Sequence, residues 1–298
     1  MLDAIYLFLF RGFAFFVKTT PYWALSPVCR FLALCGEIIL KKHSKIVKTN
    51  LDFAFGDAMS DKEKKEIVGD TFKNLFFYLA DFVRNLEADK EKLLKNVTFT
   101  RGEILQKLLD ENKKIVFITA HYGNWELLPK AITAHFAIKM AVVGRELDSK
   151  SLNEYVEESR NALGVSLINK HGAMRKLVKT LKDGDTVGVL VDQNTADDEG
   201  LIVDFFGKEA RQTHVASILA RRFDAAVLPV FIVSDDRKNF RVEFYEPIYP
   251  AKTSDSDKDI LECTQAQSNA IEEQIKKKPN EWFWLHKRWK NRYEGIYK

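Results

Sequence analysis

The stretch from Lys114 to Glu126 reads KIVFITAHYGNWE, a short apolar, β-branched run followed directly by polar and aromatic side chains. A continuous apolar run of this length is typical of a strand that is buried on both faces of a parallel sheet. In open α/β sheets, ligands bind at the carboxyl ends of the strands. The sequence therefore predicts a buried strand that delivers His121 and Glu126 to a binding edge of the sheet.

Outward from this stretch, segments with the pattern of strands alternate with segments with the pattern of helices. Further strands are predicted at residues 140–143, 165–168, 186–191, 227–233 and 240–245. Helices are predicted at about 60–85, 103–110, 151–163, 173–182, 215–223 and 257–277. Such alternation predicts an α/β fold with a mostly parallel, mixed sheet flanked by helices, in which the last two strands pair as a hairpin.

Composition excludes several classes of protein and of site. The 298 residues are 46% hydrophobic and 30% charged, which excludes a disordered or collagen-like chain. The net charge of +4 gives no reason to expect a nucleic-acid partner. Three scattered cysteines and histidines without ligand spacing predict no metal site. The sequence also lacks G-x-S-x-G, G-x-G-x-x-G, Walker A and H-E-x-x-H motifs, which disfavours hydrolases, dehydrogenases and NTPases.

The N-terminus is unusually apolar. Residues 4–17 are apolar except for Arg11, and residues 22–40 are mostly apolar, yet the first run is too short for a simple membrane span. Two helices that lie in the membrane interface fit this pattern, with a tilted single span or a hydrophobic hairpin packed on the domain as alternatives. A lysine cluster that suits anionic lipid on the cytoplasmic side follows at Lys41, Lys42, Lys45 and Lys48.

The most informative pair of residues for chemistry is His121 and Glu126. A neutral imidazole can take a proton from a hydroxyl, and a carboxylate can fix its tautomer and stabilise the imidazolium that forms. The His-x4-acid spacing is frequent by chance, so the position of His121 after a predicted strand is the observation that favours a catalytic role. The alternative interpretation is a hydrogen-bonded histidine that merely ends a strand.

A series of motifs resembles the late acyltransferases of lipid A biosynthesis, within the lysophospholipid acyltransferase superfamily. The resemblance covers about residues 46–292, and the apolar N-terminus is similar to the membrane anchor of that family. The motifs are, in order, Asn50-Leu51, His121-Tyr-Gly-Asn-Trp-Glu126, Arg160 before a glycine, Asp192-Gln193, Phe205-Phe206-Gly207 with Thr213, Pro229, and the aromatic and basic segment Pro279–Lys290.

The resemblance implies transfer of a fatty acyl chain from acyl carrier protein to a hydroxyl of a Kdo-bearing lipid A precursor. It implies acyl carrier protein, the lipid A precursor and membrane lipids as partners, and no cofactor besides the acyl-carrier cosubstrate. The location implied is the cytoplasmic face of the inner membrane. We accordingly divide the chain into a membrane anchor at residues 1–45 and an acyltransferase domain at residues 46–298.

Site roles follow from the same resemblance. His121 is the expected general base, and Glu126 is its expected carboxylate partner. The remaining residues are expected to contact or orient substrate. Arg160 is expected to contact a phosphate or an oxyanion, and Asp192 is expected to act in positioning. Arg145 is expected to face the site, and Phe205 and Phe206 are expected to shape an acyl groove. Glu146 follows Arg145 where many members of the family have proline, so the assignment of Arg145 is the least well supported by the pattern.

Two other functions fit parts of the sequence. An acyltransferase of the same superfamily could use another lipid acceptor, such as a lysophospholipid or a mannosylated phosphoinositide. A non-catalytic lipid-binding module would need the apolar N-terminus and a groove, but it would not need an ionisable pair. The segment Pro279–Lys290 is open to two interpretations as well, gripping phosphate and lipid or docking on the core.

Overall fold

A seven-stranded mixed sheet organises the chain, which the computed structural model describes over residues 2–170, 172–196 and 199–298. Its strands are β1 (Val97–Thr100), β2 (Ile115–Thr119), β3 (Met140–Gly144), β4 (Val165–Asn169), β5 (Thr186–Leu190), β8 (Ala226–Val233) and β9 (Phe240–Phe244), and β6 (Leu201–Asp204) and β7 (Glu209–Gln212) form a separate antiparallel hairpin. The order in the sheet is β1-β9-β8-β2-β5-β3-β4, and every neighbouring pair is parallel except β8 and β9. The predicted fold class and the terminal hairpin are confirmed.

Helices cover both faces of the sheet. They are α1 (Leu2–Thr19), α2 (Tyr22–Ile39), α3 (Lys41–Phe55), α4 (Asp61–Arg84), α5 (Lys90–Leu94), α6 (Gly102–Asp110), α7 (Leu127–Phe136), α8 (Lys150–Asn161), α9 (Ala173–Lys182), α10 (Val215–Phe223) and α11 (Ser256–Lys277). Short 3-10 turns occur at Gly56–Ala58, Pro279–Glu281 and Glu294–Tyr297. The predicted capping box is present, since the Ser60 hydroxyl accepts from the Glu63 amide and the Glu63 carboxylate accepts from the Ser60 amide.

The central strands are buried on both faces because side chains alternate between two apolar clusters. Val116 and Ile118 belong to the cluster under α4 and α10, whereas Ile115 and Phe117 belong to the cluster under α6 and α7. All eight residues of β8 are buried. The sheet is therefore a rigid platform, and its carboxyl edge is the part that remains open to a ligand.

The N-terminal hairpin of α1 and α2 packs on the domain through a narrow stripe of small and apolar residues, among them Ala14, Leu25 and Ala33. Gly36 lets α2 approach α4, since a Cβ there would lie 3.2 Å from a ring carbon of Phe72. Much of the remaining surface of both helices is exposed and apolar. Among the described helices, α2 alone has the length and composition that could cross a membrane. The helix α3 runs through residue 45, where the sequence places the domain boundary, and that division stays a prediction.

Candidate active site

His121 lies at the carboxyl edge of the sheet, directly after β2, and Asp192 follows the neighbouring strand β5. Because parallel neighbours end at the same edge, two residues far apart in sequence meet here. The Nδ1 atom of His121 lies 2.8 Å from Oδ1 of Asp192, and the His121 backbone amide donates to Oδ2 at 2.9 Å. The carboxylate thus fixes both the backbone and the ring of His121.

The Asp192 carboxylate is buried, and both of its oxygens accept hydrogen bonds. Besides its two bonds with His121, it accepts a hydrogen bond from Nε1 of Trp282 at 2.8 Å. Burial alone would raise its pKa, but the charge of His121 and these hydrogen bonds together lower the pKa of Asp192 to about 2. The carboxylate is therefore ionised, so Nδ1 of neutral His121 carries the proton and Nε2 carries the free lone pair.

Electrostatics also tune the imidazole. Burial alone would lower the pKa of His121, but the charge and hydrogen bond of Asp192, with a further contribution from the charge of Glu126, outweigh it and raise the pKa above the usual 6.5. An imidazole with this tautomer and a raised pKa is a stronger proton acceptor than a free histidine. The arrangement can accept a proton from a hydroxyl that reaches Nε2 and hold the resulting charge.

Glu126 takes a different position from the one expected. Its carboxylate lies 2.9 Å from a guanidinium nitrogen of Arg160, on α8. Among the described residues, the hydrogen-bond partners of the His121 side chain are Asp192 and Gln193. The expected contact between Glu126 and the imidazole is therefore corrected: Asp192 holds the ring, and Glu126 acts on it through charge at longer range.

A glycine and the C-terminal segment hold the turn after His121. Gly123 has φ +57, and a Cβ there would lie 1.8 Å from the backbone oxygen of Ile232, so the turn requires glycine. The Gly123 amide donates to the Glu281 carbonyl at 2.9 Å, and the Phe283 amide donates to the His121 carbonyl at 2.8 Å. The segment 281–283 thus pairs with the turn as a short strand would.

The same C-terminal segment is docked on the core, which confirms the docking interpretation for its aromatic residues. Trp282, Trp284 and Trp289 are buried, as is Arg288. The Nδ2 atom of Asn50 donates to the carbonyl of Trp284 at 2.7 Å and so ties the segment to α3. The contact of Trp282 with the carboxylate of Asp192 was not predicted, because no local pattern links a tryptophan to a residue 90 positions earlier.

A cavity of about 910 Å³, counted with its open mouth, adjoins His121. Phe117 and Thr119, on one face of β2, and His121, after the end of the strand, line this cavity. Most of the other lining residues are apolar, among them Leu128, Ile132, Met140, Val142, Gly188 and Val230. A site with this shape can hold an apolar chain whose end reaches the imidazole.

Charged residues near the imidazole also line this cavity. Arg145, Glu126 and Arg160 are among its lining residues. Arg145 is exposed and lies 3.4 Å from Asp148. No cluster of three potential metal ligands occurs in the part of the chain that the structure describes.

Phe205 and Phe206 lie elsewhere. They follow β6 in the tight turn to β7 and are buried against the C-terminal aromatic residues. The ring of Phe205 lies 5.7 Å from those of Trp282 and Trp289, and Phe206 packs on Phe55. Neither lines the cavity beside His121. Phe205 contacts Trp282, which donates to Asp192, so it packs behind the carboxylate's partner.

Comparison with known proteins identifies relatives over the whole fold. The family model described as bacterial lipid A biosynthesis acyltransferase matches residues 1–291. The chain is 22% identical to a lipid A biosynthesis lauroyltransferase of Escherichia coli over 290 residues, covering 96% of this chain and 91% of the relative. It is 21% identical to the lipid A biosynthesis myristoyltransferase of the same organism (94% and 85% covered) and to lipid A biosynthesis acyltransferase 2 of Shigella flexneri (85% and 79% covered).

Proposed function

The chain belongs to the bacterial lipid A biosynthesis acyltransferases, and from that premise we propose that it moves a fatty acyl group from the thioester of acyl carrier protein to a hydroxyl of a Kdo-bearing lipid A precursor. The observation that carries this proposal is the unprotonated Nε2 of His121, whose ring Asp192 fixes through Nδ1 beside a mostly apolar cavity. The cavity can hold the acyl chain of the donor, and the imidazole can accept the proton of the acceptor hydroxyl.

Proton transfer in this reaction requires one base. Nε2 of His121 accepts the proton as the acceptor oxygen attacks the thioester carbon, and Asp192 stabilises the imidazolium. As the tetrahedral intermediate collapses, the C–S bond breaks, its electron pair goes to sulfur, and the departing thiolate of the carrier takes the proton from Nε2 to become a thiol. The products are the ester and the free thiol, and His121 returns to its starting state.

The charged residues near His121 suit the polar part of a lipid A precursor. Arg160 and Arg145 supply guanidinium groups for a phosphate or for the oxyanion of the intermediate. Glu126 holds Arg160 through their ion pair and favours the imidazolium through its charge. Glu126 thereby contributes to catalysis without touching the ring.

The decisive test is mass spectrometry of lipid A from cells with and without the gene. We expect lipid A from the deletion strain to lack one secondary acyl chain, and the wild-type gene to restore it. The mass difference would give the length of the transferred chain. Unchanged lipid A together with altered phospholipids would refute the lipid A acceptor and would favour another acceptor of the same superfamily.

We also propose that α1 and α2 hold the enzyme on the cytoplasmic face of the inner membrane. Phe8, Trp23 and Ile39 are 76%, 78% and 74% exposed, although burial of each would be favourable. A lysine cluster in α3 follows them directly, and lysines near a membrane surface attract anionic lipid. An apolar face beside basic residues matches the chemistry of a lipid surface.

Replacing Phe8, Trp23 and Ile39 together with glutamate is expected to reduce flotation with anionic vesicles at least about tenfold, because insertion would then bury three charges. Exposed side chains contribute little to folding, so the melting temperature should change little. Glutamate at Tyr249 and Leu261, which are exposed apolar residues outside the hairpin, is the matched control. Equal flotation of the triple variant and the wild type would refute this membrane contact.

A further inference from the structure

The nitrogen that must act as the base is already occupied in the free site. Nε2 of Gln193 lies 3.2 Å from Nε2 of His121. Because Asp192 keeps the proton on Nδ1, the lone pair on Nε2 is an acceptor, and the amide of Gln193 is the group that donates to it. The mechanism above assigns no task to Gln193.

The backbone beside Gln193 is held firmly. On one side, Asp192 is fixed by Trp282 and by His121 itself. On the other side, the amide of Asn194 donates to Nε2 of His286 at 2.9 Å. Burial lowers the pKa of His286 to about 4, so this ring is neutral and remains an acceptor near neutral pH. The freedom that remains at position 193 is therefore rotation of the side chain.

An acceptor hydroxyl must donate its hydrogen bond to the same lone pair that Gln193 now occupies. We propose that Gln193 is a displaceable cap on the base, which covers Nε2 of His121 until the acceptor hydroxyl replaces it and so protects the bound thioester from water. The proposal rests on the acyl transfer proposed above. Gln193 is a positioning residue in this scheme, because it acts on the reaction through the imidazole.

The cap discriminates between water and the acceptor because the acceptor has other contacts. A lipid precursor held by the guanidinium groups near His121 reaches Nε2 with its position already set. A water molecule gains only the hydrogen bond that it takes from Gln193. The side-chain amide of Gln193 can bond to both the neutral and the protonated ring. A half-turn of the amide presents its oxygen to the N–H of the imidazolium.

Two near-isosteric variants test the cap. Gln193→Met keeps the volume but removes the donor, so hydrolysis of acyl carrier protein thioester without acceptor is expected to rise about 2- to 10-fold relative to acyl transfer, the range for loss of one hydrogen bond. Gln193→Glu places a carboxylate at Nε2, so it should stabilise the imidazolium and move the acid limb of the transfer rate to higher pH. An unchanged or lower ratio of hydrolysis to transfer in Gln193→Met would overturn the cap.

A spectroscopic measurement tests the hydrogen bond between Gln193 and His121 independently of acyl transfer. The ¹⁵N signal of Nε2 can be measured in protein with labelled histidine and assigned to His121 by its loss in His121→Ala. We expect this signal of neutral His121 to shift in Gln193→Met. We expect the pKa of His121 to rise in Gln193→Glu. An unchanged Nε2 signal would overturn the cap even if acyl transfer is normal. If the shift occurs but the wild type transfers no acyl group, the hydrogen bond from Gln193 to His121 is confirmed, whereas the proposed function fails and with it the role of the cap in acyl transfer.

Discussion

Replacing His121 with alanine is expected to lower the rate of acyl transfer by about 10²- to 10⁴-fold, the usual contribution of a positioned general base. The substitution removes Nε2, the only atom to which the proposed mechanism assigns the proton. The rate should be measured as transfer from acyl carrier protein thioester to the lipid acceptor, under conditions where chemistry limits turnover. The pKa of His121 is raised above 6.5, so the wild-type rate should decline as the pH falls through that raised value.

Controls make this result specific. His43→Ala removes an exposed histidine on α3 and should leave the rate unchanged. Circular dichroism should verify that His121→Ala folds, because loss of the ring leaves Oδ1 of buried Asp192 without its partner and should lower the melting temperature. Near-normal turnover by a folded His121→Ala protein would refute the base mechanism, and a lipid-binding function without catalysis would then fit better.

Replacing Asp192 with asparagine is expected to lower the rate of acyl transfer by about 10³-fold or more, although nearly every atom of the side chain stays in place. The asparagine oxygen can still accept from the His121 amide and from Trp282, at the position of Oδ2. Its amide nitrogen then faces Nδ1 of His121 and makes that atom an acceptor. The ring proton moves to Nε2, so the base loses its lone pair toward the substrate. The measurement is the rate of acyl transfer, with ¹⁵N spectra of His121 reporting the tautomer.

Glu126→Gln is the matched comparison, because it makes the same chemical change on a carboxylate that does not touch the ring. We expect a smaller loss, about 10- to 100-fold, from the unpaired Arg160 and the weaker support of the imidazolium. The His121 tautomer should not change. A larger loss for Glu126→Gln than for Asp192→Asn would mean that Glu126 moves onto the imidazole during the reaction, as the sequence alone predicts.

The sequence predicted most of the fold because its central strands are buried on both faces. Such strands appear as continuous apolar runs, and β2, β5 and β8 lie where those runs occur. The strand β1 was missed because it is a four-residue strand at the sheet edge with half its side chains exposed. The helix α7 was missed as well, and it carries Pro129 in its first turn, where proline does not break a helix.

The site was predicted in part, and the error has a physical origin. Position after a strand pointed to His121, and the family resemblance pointed to Asp192, but pairing them requires the order of strands in space. The sheet places β5 beside β2, although β3 and β4 separate them in the chain. Glu126 is five residues from His121 and therefore looked like the nearer carboxylate. Proximity in sequence pointed to the wrong carboxylate, because the sheet brings together His121 and Asp192, which are 71 positions apart in the chain.

The docking of the C-terminal segment has a consequence for biosynthesis on the ribosome. Translation delivers α1 and α2 first, so their apolar face can meet a lipid surface while the rest of the chain is still being made. Trp282 and Phe283, which hold Asp192 and the turn after His121, emerge much later. Under the membrane contact and the acyl transfer proposed above, the nascent protein would reach a membrane before its proton acceptor is assembled, and an acyl thioester would meet a finished catalyst only at that membrane.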